Sequence, residues 1–239
     1  MTQINEVGFE DFLLSKGFFE YPSIDLQTRP QKFSLSENHQ EYVMQPSDYL
    51  VAFSTQPKHY CIGCVDMVNS TKIATRLTQK QLSGYYEMFL NSMSKIIGKF
   101  GGKVIKNIGD CLLYYFSNLE NSQEIMKRCL DCGISMTESQ PIICKQLESK
   151  GLPRLDYRVS MDYGLVIIMN TTDSTSIDLI GPPVNVCAKI NRCANKNEFV
   201  IGGDLKEIVK KIDGYKFEQI EGYNVGLPRT YPVYTVNRK

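Results

Sequence analysis

Residues 101–116 read GGKVIKNIGDCLLYYF, two β-type runs joined tightly through Asn107–Asp110. Asn, Gly and Asp are turn formers, so the stretch predicts a β-hairpin. Immediately upstream, Thr78 to Phe100 places Leu82, Tyr85, Tyr86, Phe89, Leu90, Met93, Ile96 and Ile97 at helical spacing. Gly101-Gly102 stops that helix. Before the helix, HYCIGCVDM at 59–67 is a short apolar run that ends in an acid, as a buried strand would. After the hairpin, a helix is expected over about Ser122–Glu138, and strands around Arg154–Ser160 and Leu165–Asn170. A helix from Pro183 to about Ala194, the strand EFVIG at 198–202 and a helix from Asp204 to Lys211 follow. Two or three closing strands fit between Tyr215 and Val236. Strands and helices thus alternate around a hairpin-rich, mostly antiparallel sheet, which is an α+β domain. There are no internal repeats and no low-complexity tracts.

Residues 1–57 read differently from 58–239 and are expected to form an N-terminal extension to the main domain. Val7–Lys16 carries Phe9, Phe12, Leu13 and Leu14 as a short amphipathic helix closed by Gly17. Tyr21 to Lys58 is polar, contains four prolines and lacks periodicity, so it reads as an irregular strap. The 239 residues are 42% hydrophobic, enough for a full core, and 27 basic residues face 26 acidic ones. That balance, a net charge of +1, argues against a nucleic-acid partner. No run approaches the ~18 apolar residues of a membrane span. The first residues lack a secretory pattern, so a cytoplasmic protein with free thiols is expected. Cys61/Cys64 and Cys129/Cys132 have CxxC spacing. Three residues apart on a strand means opposite faces, which argues against a zinc site at the first pair.

Three pieces carry chemistry. Asp66-Met67-Val68-Asn69-Ser70-Thr71 is an acid at a strand end followed by small polar residues that open a helix. Lys106-Asn107-Ile108-Gly109-Asp110 is a lysine and an acid bracketing a hairpin. DLIGPPVNVCAK at 178–189 is an acid, a tight turn and a helix on which Asn185 and Lys189 share one face. Asp66 and Asp110 suit a hard divalent cation, which takes one or two carboxylates plus substrate oxygens. Val68–Thr71 offers backbone N–H groups to phosphate. Singly, each residue has a plain structural reading: a helix cap, a turn former, a solvated charge.

Together, Tyr60 to Val236 resembles the class III adenylate/guanylate cyclase homology domain. The resemblance rests on CVDMVNST, on GGKVIKNIGDCLLYYF, on DLIGPPVNVCAK and on GLPRTYPVY, in that order, with the two acids 44 residues apart. It implies the class III nucleotide cyclase fold, a ferredoxin-like βαββαβ core. It implies that Asp66, Asp110 and the carbonyl of Met67 hold two divalent cations, Mg²⁺ or Mn²⁺. Lys106 and Asp178 then read the base, Asn185 orients the ribose and Lys189 stands where the family usually has a phosphate-binding arginine. It further implies a head-to-tail homodimer with sites shared between chains, and ATP as substrate.

Hydrogen-bond polarity supports the base assignment. Adenine offers an acceptor at N1 and a donor at its amino group, matching a lysine donor and an aspartate acceptor. Guanine reverses the pattern, whereas cytosine shares it. Two departures from the family bear on turnover. Lys189 is a point charge, not a planar fork, and Val225 stands where active members often carry a lysine, leaving Arg229 as its nearest substitute. The alternatives are a pyrimidine or guanine nucleotide cyclase, or a non-catalytic module of the same fold. A diguanylate cyclase is argued against, because no Gly-Gly-acid-acid-Phe motif is present.

Overall fold

The computed structural model describes residues 51–54, 56–117, 123–171, 177–223, 226 and 231–239. The helix expected at Val7–Lys16 and most of the strap lie outside the described residues, as do Val225 and Arg229.

The strands are β1 (Val51–Phe53), β2 (Lys58–Met67), β3 (Lys103–Ile108), β4 (Cys111–Phe116), β5 (Tyr157–Thr171), β6 (Ile177–Ile180), β7 (Phe199–Gly202), β8 (Tyr215–Ile220) and β9 (Val233–Arg238). The helices are α1 (Ser70–Ala74), α2 (Gln79–Lys99), α3 (Gln123–Glu138), α4 (Gln140–Ser149), α5 (Pro182–Ile190) and α6 (Gly203–Val209). The sheet runs β3-β4-β2-β5-β7-β9-β8, with β1 and β6 added to the far end of β5. Among the described residues only β5 and β7 pair in parallel. The elements β2-α2-β3-β4-α3-β5 form the expected ferredoxin-like βαββαβ core.

β2 is buried on both faces, and its alternation assigns each side chain to a layer. Cys61, Val65 and Met67 join the main core beneath α2 and α3, with Phe89, Ile97, Leu130 and Met161. Ile62 and Cys64 join a second cluster with Leu113, Val166, Leu179 and Cys187 of α5. The expected separation of Cys61 and Cys64 is therefore observed. Gly63 is required because a Cβ there would lie 2.1 Å from the Tyr114 ring on the neighbouring strand.

α2 starts on a reciprocal cap. The Thr78 hydroxyl accepts from Gln81 N–H, and the Gln81 side chain accepts from Thr78 N–H at 3.0 Å. Such a cap contributes about 1 kcal/mol. The buried stripe Tyr85, Met88, Phe89, Met93, Ile96 and Ile97 follows, each fully buried side chain contributing roughly 1.5–3 kcal/mol. Gly101, at φ 84°, ends it.

β1 and β6 are not among the expected strands, and three further elements differ from the sequence reading. β5 is one strand, not the two expected around Arg154–Ser160 and Leu165–Asn170; Asp162 is buried within it and accepts a hydrogen bond from the Tyr231 hydroxyl. α4 was not anticipated. Its Pro141 stands in the first turn, where a missing N–H costs nothing, and Ile143, Cys144 and Leu147 bury its inner face. The helix from Pro182 ends at Ile190, and Asn191–Cys193 tightens into a 3₁₀ turn. Among the described residues no helix is long and apolar enough to cross a membrane.

Candidate active site

Asp66 lies one residue before the end of β2, opposite Cys111 of β4 and Arg158 of β5. The strand end is closed on both sides. Met67 N–H donates to the Asp110 carbonyl at 3.2 Å, and Val68 N–H to the Asp156 carbonyl at 2.8 Å. The β3–β4 hairpin turns through Gly109 at φ 62°, a left-handed conformation that glycine adopts without strain. That turn brings Asp110 back beside Asp66. Asn69, at φ 59°, reverses the chain into α1, and the Ser70 hydroxyl donates to the Asp110 carboxylate. Thr71 is exposed on α1. The sequence-predicted Asp66, Met67, Asp110, Asn69, Ser70 and Thr71 thus occupy one corner.

Asp66 is half-buried, and its carboxyl is raised to about 6. Burial is the main cause, and the neighbouring Asp110 adds repulsion, while Arg158 and Arg192 pull the other way. The sequence reading did not single out these two arginines. Arg158 lies on β5 two residues before Ser160 and four before Asp162, and among the described residues its Nε is buried with no hydrogen-bond partner. Arg192 had no local signal, since the turn that carries it is set by tertiary contacts. The buried Asn191 amide donates to the carbonyls of Cys64 at 3.3 Å and Arg158 at 3.1 Å, and to the Ser160 hydroxyl at 3.2 Å. These bonds seat the turn on the strand pair that bears Asp66.

A second group is formed by Lys106 on β3 and Asp178 on β6. The Lys106 ammonium donates to one oxygen of Asp178, and Leu179 N–H donates to the other at 2.9 Å. Their side chains are 43% and 29% exposed, so the pair faces solvent and its strength is screened. A third group lies on the outer face of α5, where Asn185 and Lys189 are exposed and Pro183, Val186, Cys187 and Ile190 bury the inner face. Lys189 Nζ donates to the Gly226 carbonyl at 3.4 Å. Among the described residues no hydrogen bond or ion pair joins one group to another.

Chemically, the first corner combines two carboxylates with cationic neighbours, a setting for a hard cation and a polyanion together. The second presents one donor and one acceptor side by side, and the third an amide and a cation.

The chain matches the family model described as Adenylate and Guanylate cyclase catalytic domain over residues 54–237. Cytidylate cyclase of Staphylococcus aureus is 24% identical over 195 residues, 75% of this chain and 45% of that protein. The chain spans less than half the length of the curated relatives it matches. The adenylyl cyclase CyaB of P. aeruginosa superposes with a TM-score of 0.69 at 20% identity, covering 79% of this chain and 97% of that one. The guanylyl cyclase Cya2 does so with a TM-score of 0.65 at 18% identity, over 76% and 92%. At these identities the solved structures share the fold; they are named for adenine and guanine nucleotides, and the curated relative for cytidine.

Proposed function

The chain belongs to the adenylate and guanylate cyclase catalytic domain family, with the class III nucleotide cyclase fold, and from that premise we propose that it converts ATP to 3′,5′-cyclic AMP and pyrophosphate at the interface of a head-to-tail homodimer. What carries this reading is the juxtaposition of Asp66 and Asp110. Two carboxylates at a half-buried corner repel each other; burial chiefly, and Asp110 secondarily, raises the Asp66 carboxyl, and a bound cation would offset both. Their oxygen donors suit a hard ion. Asp66 and Asp110, with the Met67 carbonyl, would hold two divalent cations, Mg²⁺ or Mn²⁺, which acidify the 3′-hydroxyl and neutralise the leaving pyrophosphate.

The chain's own groups do the rest. The Ser70 hydroxyl fixes the Asp110 carboxylate. Backbone N–H groups around Asn69, Ser70 and Thr71 face the phosphates, and Arg158 and Arg192 add positive charge at that end; Arg229 is proposed from the sequence alone as a further phosphate contact. On the partner copy, Lys106 donates to adenine N1 and Asp178 accepts from its amino group. Their mutual ion pair holds both side chains at one place before the base arrives. Asn185 orients the ribose, and Lys189 neutralises charge that develops on the α-phosphate. No side chain is assigned as general base.

We place the catalytic domain at residues 58–239, with 1–57 as an extension; the family match starting at residue 54 supports this division. A cytoplasmic setting fits eight cysteines that are all free thiols.

A pyrimidine substrate is the second reading. Cytosine shows the same acceptor and donor as adenine, and a cytidylate cyclase is among the relatives. Incubating purified protein separately with ATP, GTP, CTP and UTP, with Mn²⁺ or Mg²⁺, and identifying products by mass decides between them. Cyclic AMP from the wild type and none from Asp110→Ala is the expected result. Cyclic CMP or UMP would keep the mechanism and overturn the base assignment. No product from a dimeric protein would make it a non-catalytic module.

A further inference from the structure

We propose that Cys64 and Cys111 form an oxidisable thiol pair, and that their disulfide draws the Asp110 hairpin onto β2. The consequence for Asp110 rests on the cation-binding reading above; the bridge itself does not.

All eight cysteines are free, yet these two are not ordinary neighbours. Their Sγ atoms lie 3.0 Å apart. In the β2–β4 register Cys64 faces Leu113 while Asp66 faces Cys111, so the two cysteines are diagonal on one face of the ladder. Diagonal positions have Cα atoms roughly 7–8 Å apart, whereas a disulfide wants about 4.4–6.8 Å and a sulfur separation near 2.05 Å. Closing the bond therefore pulls the start of β4 toward β2 by on the order of 1 Å. The residue before Cys111 is Asp110, whose carbonyl accepts from Met67 N–H and whose carboxylate accepts from Ser70. Bridging therefore changes the separation of Asp66 and Asp110.

Access sets the order of events. Cys64 is 2% exposed, while Cys111 is only partly buried. A peroxide meets Cys111 first and leaves it as a sulfenic acid plus water. The Cys64 sulfur then displaces hydroxide from the Cys111 sulfur, and the thiol proton leaves with it as a second water. Two thiols and one hydrogen peroxide thus give one disulfide and two waters. Three other thiols provide internal contrasts. Cys187 shares the cluster, but its Sγ is engaged by Ser160 at 3.3 Å and by the Ile62 carbonyl at 3.4 Å. Cys61 hydrogen-bonds Cys129, and both are fully buried out of an oxidant's reach.

The test uses the full chain, treated with hydrogen peroxide, alkylated and digested without reduction, with the linkage assigned by tandem mass spectrometry. Mn²⁺ affinity is measured in parallel from the free-ion electron paramagnetic resonance signal. The expected result is a Cys64–Cys111 bridge and Mn²⁺ binding weakened by about tenfold, both reversed by dithiothreitol and both absent in Cys111→Ser. Cys64→Ala, which keeps the exposed thiol, should likewise give no bridge. Absence of the bridged peptide, linkage of Cys64 to Cys187, or a bridge that leaves Mn²⁺ affinity unmoved would each overturn the proposal. If reduced protein binds no Mn²⁺, the cation reading of Asp66 and Asp110 fails, and the peptide map alone decides the bridge.

Discussion

The two ends of the candidate site are built in opposite ways. Around Asp66 and Asp110 the chain closes on itself. The acids stand at the end of a central strand and in a hairpin beside it, half-buried and tied by backbone bonds to both neighbouring strands. Lys106, Asp178, Asn185 and Lys189 instead lie on an edge strand, an added strand and the outer face of α5, with Asp178 partly exposed and the other three exposed. One end is finished within the chain, and the other is offered to something outside it. That asymmetry fits the proposed site shared between two copies.

Mixing variants is the hardest test of that contrast. Asp110→Ala alone should lose activity by about 10²–10³-fold or more, the scale of removing one pre-aimed charge from a transition state. Asp178→Ala cripples the other end. Mixed in equal amounts, the two should recover about a quarter of wild-type activity, because half of the dimers are mixed and each has one intact site. No recovery after confirmed subunit exchange would mean that both ends serve one chain, and the comparison would break.

Smaller effects should grade along the outward end. Asp178→Ala by itself should lower kcat/KM for ATP by about 10–100-fold, the cost of one charged hydrogen bond. It should also narrow the preference for ATP over GTP, read from parallel kinetics on both nucleotides. Lys189→Arg should raise kcat by about two- to tenfold, since a planar fork holds phosphate oxygens in pairs where an ammonium does not. An unchanged kcat would place Lys189 outside the reaction, held instead by the Gly226 carbonyl.

How much of this was legible in the sequence follows the same division. Helical spacing placed α2 and α3, and apolar runs flanking turn formers placed the β3–β4 hairpin, each within a few residues, because these signals are local. The motif acids could be found because hairpin and strand-end chemistry is local. Arg192 could not, because only the buried Asn191, bonding three groups on β2 and β5, seats its turn. The continuity of β5 across the gap between the two expected strands is not a local property: Asp162 in mid-strand finds its partner only in the Tyr231 hydroxyl, nearly seventy residues later. α4 was hidden by Pro141, which breaks a helix interior but not a first turn.

That same Asp162 gives the smallest and cleanest test, because it is a raised carboxyl outside the site. It is fully buried, and its carboxyl rises to about 7, chiefly through burial and secondarily through Asp204, against hydrogen bonds from Tyr163 N–H, the Tyr231 hydroxyl and Leu205 N–H. An unfolded aspartate titrates near 3.9, so between about pH 4 and 7 the folded chain holds a proton that the unfolded chain has lost. Stability from this group is therefore full below the unfolded value and falls as pH rises to about 7. Asp66, raised to about 6, adds a loss of the same sign over a narrower window. Asp162→Asn cannot ionise and keeps an oxygen for Tyr231. Its melting temperature should match the wild type near pH 4 and exceed it at pH 8, by roughly 2–4 °C per kcal/mol recovered, with cyclase activity retained. Asp66→Asn should flatten the curve only up to about pH 6 and abolish turnover. If Asp162→Asn removed activity while Asp66→Asn did not, the functional corner would lie at the Tyr231 end of β5 and not beside the hairpin.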